Sequence, residues 1–119
     1  MGSGTIKNVT LGLNEWVLAH TVIFVSVATE NVDIWHPAHI SLAKKIEDAK
    51  FGAYRSESIT QIFTDQERIY MRRYISTYCA NLAENMKKLP DGFLRQFQEL
   101  EIMSLYKMAN KVQLAFSSI

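Results

Sequence analysis

The sequence predicts an all-α fold, a compact bundle of four principal helices with one short additional helical turn. Three observations predict it. An amphipathic segment with a legible start and stop runs from Thr64 to Leu89, Pro37 stands in front of a second periodic stretch, and apolar residues recur at helical spacing from Phe93 to Phe116.

The segment 64–89 is the most fully specified. Thr64 and Glu67 form a capping box, in which each side chain satisfies a backbone N–H that the helix start leaves unpaired. Met71, Ile75, Tyr78, Leu82 and Leu89, flanked by Tyr74, Cys79 and Met86, make an apolar stripe about a third of the circumference wide. Arg73, Thr77, Ala80, Glu84, Lys87 and Lys88 occupy the opposite, wet face, and Asn85 interrupts the stripe. Lys87 and Lys88 complement the carbonyl end of the dipole, and Pro90, Asp91 and Gly92 end the run.

The other elements follow in chain order. Residues 1–4, MGSG, read as a cloning scar or a disordered start, which leaves 5–119 as a single helical domain. Thr5 to Leu13 is an arm or a short extended segment. Asn14 to Asn31 is ambiguous, because Thr21 to Val27 is rich in β-branched residues and favours a strand by propensity. A lone strand in a helical chain would leave its backbone groups unpaired, so helix is preferred, capped by Asn14. On that helix Glu15, Ala19, Ser26, Thr29 and Glu30 share a small and polar face, with Trp16, Val17, Phe24 and Val27 opposite.

Pro37 suits the first position of a helix reaching about Tyr54, with Leu42, Ile46, Ala49 and Ala53 inward. Residues 56–63 are expected to form the short helical turn, pinned by Ile59, Ile62 and Phe63. The last helix, from about Gly92 to Phe116 and capped by Asp91, has a stripe that moves. Phe93, Phe97 and Leu100 face one way, while Leu105, Met108, Ala109, Val112 and Phe116 face another. One straight groove cannot bury both sets, so the helix either wraps its neighbours or offers apolar surface to a partner.

Composition narrows the function. The 48% hydrophobic and 21% charged content of these 119 residues fits one domain with its own core. A formal charge of +1 argues against nucleic acid as a partner. A single cysteine, Cys79, excludes an intrachain disulfide framework and fits the cytoplasm, where it is expected to be buried and inert. The apolar run Trp16–Ala28 is shorter than the roughly 20 residues of a membrane span and contains His20, Thr21 and Ser26, so no membrane association is expected.

Catalytic motifs are missing, with no nucleophile elbow, metalloprotease pair, dinucleotide fingerprint or paired Cys-x-x-Cys, so neither an enzyme nor a cofactor is expected. His36 and His39 lack the third ligand that zinc requires, and no metal is expected. The candidate interaction residues are Phe93, Phe97, Leu105, Val112 and Phe116 on the last helix, Trp35, His36 and His39 at a loop to helix junction, and Tyr70 and Tyr74 from a tyrosine ladder continued by Tyr78.

These features point to a small helical interaction or regulatory protein, self-associating as a homodimer or binding another protein. Two alternatives remain: a small-molecule binder with a pocket of tyrosines and methionines, and a weak nucleic-acid binder using Arg68, Arg72 and Arg73.

Overall fold

A computed structural model of the protein describes residues 6–117, so the expected disordered start at 1–4 lies outside the described residues. The order of elements is β1 (Ile6–Gly12), α1 (Leu13–Thr29), α2 (Pro37–Ala53), β2 (Ser58–Thr64), α3 (Asp65–Lys87) and α4 (Arg95–Ala115). The four expected helices are present, but the fold is α+β and not all-α, because a two-stranded antiparallel sheet accompanies them.

The sheet replaces both the undecided arm and the expected helical turn at 56–63. β1 pairs with β2 in a register running from Ile6 opposite Thr64 to Gly12 opposite Ser58. Ile59, Ile62 and Phe63 do not share one face as a helix would require. Phe63 is fully buried, Ile59 is half-buried and Ile62 is exposed, the alternation of a strand with one wet face. Val9 and Leu11 bury on the same side as Phe63, while Thr10 and Thr60 meet on the wet side at 2.7 Å. Each strand is marginal by itself and finds its backbone partner about fifty residues away, a distance that local periodicity does not register.

Residues 13–29 are helical despite their β-branched content, as burial outweighs a penalty of a few tenths of a kcal/mol per residue. The cap is two residues earlier than Asn14: Gly12 is the N-cap, and its N–H donates to Glu15 Oε1 at 3.1 Å. The buried face also differs from the expected one. Ala19 and Ser26 are fully buried beside Trp16 and Val22, whereas Phe24 is 73% exposed and Val17 and Val27 face outward. Small residues let α2 and α3 approach α1 closely, and that gain in packing outweighs leaving three apolar side chains outside. Among the described residues Ser26 Oγ has no hydrogen-bond partner.

The core is centred on Trp16, Phe63 and Phe116, whose ring centroids lie 4.9 to 6.5 Å apart and which join α1, β2 and the end of α4. Trp16 Nε1 donates to the Ile59 carbonyl at 3.2 Å, which satisfies its polar edge. α2 buries Leu42, Ile46, Ala49 and Ala53, and Gly52 brings it close enough to β2 that a β-carbon there would stand 3.1 Å from Ile59 Cδ1. α3 keeps its capping box, with Glu67 N–H donating to Thr64 Oγ1 at 3.2 Å and Thr64 N–H to Glu67 Oε1 at 2.8 Å.

α3 and α4 form a hairpin closed by a turn in which Gly92 has φ 148°, a conformation that favours glycine. Asp91 does not cap α4. Leu94 is the N-cap and offers no side-chain bond, while Asp91 accepts from Arg95 Nη1 at 3.1 Å. From Ala83 to Met108 no side chain is fully buried, so the turn end of the hairpin leaves the core behind in a molecule measuring 54 × 34 × 25 Å.

Two substitutions test this packing by urea titration. Phe63→Ala should destabilise by about 3–5 kcal/mol, as expected for a buried aromatic removed from a filled core. Ser26→Ala should be neutral or stabilising by up to about 1 kcal/mol, since it removes a buried hydroxyl with no partner. A large loss at Ser26 would show that the hydroxyl is bonded.

Candidate functional site

Four features of the described surface are open to contact with another molecule: the turn end of the α3–α4 hairpin, a trough between α1 and α2, a polar cleft beside α3, and a shallow depression lined by Ile69, Arg72, Arg73, Ser76, Thr77 and Gln113.

The hairpin end is apolar where it is exposed. Phe93 is 85% exposed and Phe97 68%, with Leu94, Leu100 and Met103 also exposed. Next to them Leu82, Ala83, Met86, Ile102, Met103 and Tyr106 line a depression of about 540 Å³ between the two helices. Arg95 holds the turn rigid from beneath, donating to the Leu89 carbonyl at 2.8 Å, to Asp91 at 3.1 Å and to Glu99 at 2.7 Å.

The moving stripe of α4 therefore divides in two. Val112 and Phe116 are fully buried within the protein's own core, and Leu105 is half-buried against it. They are packing residues, which corrects their assignment to an interaction surface. Phe93 and Phe97 remain available. The reason is the reach of α1 and the sheet, which cover only the last turns of α4.

The arginine cluster is likewise put to structural use. Arg68 is 1% exposed and donates to the carbonyls of Thr64 and Ser117 and to Asp65, each at 3.4 Å. Arg72 Nη1 donates to the Phe116 carbonyl at 3.1 Å, and Lys7 Nζ donates to the Ser117 carbonyl at 2.9 Å. Three cations thus gather on the negative end of the α4 dipole. Only Arg73 of the cluster is directed to solvent, so the three arginines do not form a phosphate-binding patch.

Glu67 was legible only as a capping residue, yet it is 2% exposed and also receives Lys45 Nζ at 2.8 Å and the Ser41 hydroxyl. Burial pushes its pKa up, but the bonds from Lys45, Ser41 and the Thr64 backbone prevail and hold the carboxyl below the usual range. It locks α2 to the start of α3.

The structure unites four of the candidate residues at the junction of α2 and α3. His36 caps α2, its Nδ1 accepting from the Ala38 N–H at 3.1 Å, and its ring lies 5.2 Å from that of Tyr70. His39 is buried, with Nδ1 2.9 Å from the Tyr74 hydroxyl, and Tyr70 meets Tyr74 edge to face at 6.3 Å. Trp35 is apart from this group and 79% exposed, turned outward by a turn in which Asp33 Oδ1 accepts from the Trp35 N–H at 3.1 Å. It does not anchor the loop in the core.

Beside the cluster, Tyr70, Tyr74 and Arg73 face the connection 30–33 across a cleft of about 260 Å³. On the other side of α2, an apolar trough of about 410 Å³ contains His20 and His39 among Ile23, Phe24, Val27 and Ile40. Tyr78 is buried, and Tyr70 and Tyr74 line a different cleft from the methionines Met86 and Met103, which meet Tyr106 in the depression of the hairpin. Cys79 is half-buried and burial raises its pKa, as for an unreactive thiol. Among the described residues no group of three His, Cys, Asp or Glu is placed to hold a metal ion, and no helix is long and apolar enough to cross a membrane.

Comparison with known protein families, curated proteins and solved structures finds no match to this chain. The geometry above is what bears on function.

Burial lowers the pKa of His39, opposed by Asp33; it also lowers that of His20, helped by Lys50 and opposed by Glu47. At pH 8, well above the unperturbed value of about 6.5, both rings are neutral in the folded and unfolded chain. As the pH falls towards and below that value, the unfolded chain takes up protons that the folded rings resist, so stability should decline until the lower folded pKa values are passed. Urea titrations between pH 8 and pH 5.5 should show this decline, and His39→Asn should make it shallower.

Proposed function

We propose that the protein is a small cytosolic interaction or regulatory module that works through the exposed end of its α3–α4 hairpin, and that it forms a two-fold homodimer there. The observation that carries this reading is the run from Ala83 to Met108 without a buried side chain, in which Phe93, Leu94, Phe97, Leu100 and Met103 are all exposed. Contiguous apolar surface of this kind is uncommon on a monomer and marks a place of contact.

Two further arguments favour a second copy as the occupant. With about 150–250 Å² for a large aromatic side chain, these residues and Tyr106 expose on the order of 700 Å², close to the ~800 Å² that each partner contributes to a stable interface. The charges at its margin are of both signs, Lys87, Lys88 and Lys107 with Asp91 and Glu101, so like surfaces do not repel. Two-fold symmetry is the commonest arrangement for such self-complementary contacts. The lone, half-buried Cys79 fits a reducing compartment.

Light scattering at high micromolar concentration should give a mass about twice the 13.6 kDa of one chain. Phe97→Glu should return the mass to that of one chain with the circular dichroism and urea midpoint nearly unchanged. Val112→Glu should instead unfold the chain, because the charge would enter the protein's own core. A native mass of one chain at that concentration would sink the dimer.

A further inference from the structure

We propose that the cleft between the 30–33 connection and α3 binds a small zwitterion of the α-amino-acid type, its carboxylate on Arg73 and its ammonium on Glu30 and Asp33. The site stands apart from the hairpin end and does not depend on the dimer.

The charges of the cleft face a common space without neutralising each other. Arg68 and Arg72 are committed to the end of α4, but among the described residues Arg73 has no hydrogen bond or ion pair. Glu30 and Asp33 line the same cleft, and neither forms an ion pair with it. Glu30 and Arg73 are both close enough to Tyr74 to act on its hydroxyl electrostatically, in opposite senses. A ligand with one charge only would meet repulsion from one side of the cleft. A zwitterion meets attraction from both.

The walls suit such a ligand in shape and chemistry. Tyr70 is held between His36 and Tyr74, and Tyr74 is held by His39, so the aromatic wall is rigid before anything binds. A guanidinium can grip a carboxylate with two parallel hydrogen bonds, and tyrosine faces attract an ammonium. The volume of about 260 Å³ accommodates a ligand the size of an amino acid. Burial raises the pKa of Tyr74, so its hydroxyl stays protonated and adds no negative charge to the cleft.

Isothermal titration calorimetry of the full chain with each L-α-amino acid, and with acetate and ethylammonium as half-ligands, tests the proposal. At least one amino acid should bind with a Kd below about 1 mM, and both half-ligands should bind at least about tenfold more weakly. Arg73 is exposed, so Arg73→Gln should fold normally by circular dichroism and weaken binding about tenfold or more. The monomeric Phe97→Glu chain should bind as tightly as the native one, which separates this site from the dimer. Silence from every amino acid up to about 10 mM, acetate binding as tightly as the best amino acid, or an Arg73→Gln chain that binds like the native one would overturn it.

Discussion

The contact on which the structure depends is Phe116 against Trp16 and Phe63, with ring centroids at 6.5 and 4.9 Å. It is where the last helix, the first helix and the sheet become one core. Aromatic pairs of this geometry contribute about 0.5–1.5 kcal/mol each beyond the area they bury. The same turn of chain carries the carbonyls of Phe116 and Ser117, on which Arg72, Arg68 and Lys7 converge. Burying a helix end would leave its carbonyls unsatisfied, and these cations satisfy them while answering the dipole. Hydrophobic burial and charge therefore secure the same few residues.

Anchoring α4 at its C-terminal end has a consequence for its other end. Full burial ends at Leu82 on α3 and begins at Ala109 on α4, with Ile102, Leu105 and Met108 half-buried against the core, so the turn end of the hairpin is stabilised mainly by one helix lying on the other and by the turn that Arg95 holds. An apolar surface in that position is not needed to complete the core. It is therefore available for contact, and a substitution there is felt by the fold far less than one near Phe116.

Much of the candidate site was legible in part. Tyr70 and Tyr74 were expected on one shoulder of α3 from their spacing, and His36 and His39 from their junction, but their meeting depends on the packing of α2 against α3. Phe93 and Phe97 are exposed as a contact surface requires, whereas Val112 and Phe116 are core. On the helix alone these two groups differ only in angle, and which is covered depends on how far the remaining elements reach. The buried Glu67 could not be distinguished from an ordinary capping glutamate, since Ser41 and Lys45 are supplied by another helix. The cleft at Arg73 draws its acidic side from residues 30–33, about forty positions away.

The sequence by itself determined α2, α3 and the break that follows α3. The Thr64 to Glu67 box, Pro37 and the Pro90 to Gly92 break act through neighbouring backbone groups, and the stripes of α2 and α3 follow from a period of 3.6 residues. Only the tertiary structure decided that residues 6–12 and 58–64 are strands, since a strand is completed by hydrogen bonds to chain distant in sequence. The same holds for the choice of which face of α1 to bury and for the use of Arg68 and Arg72 on α4. Helix formation is a local equilibrium between adjacent residues; pairing, close packing and charge satisfaction are settled by what the folded chain brings alongside.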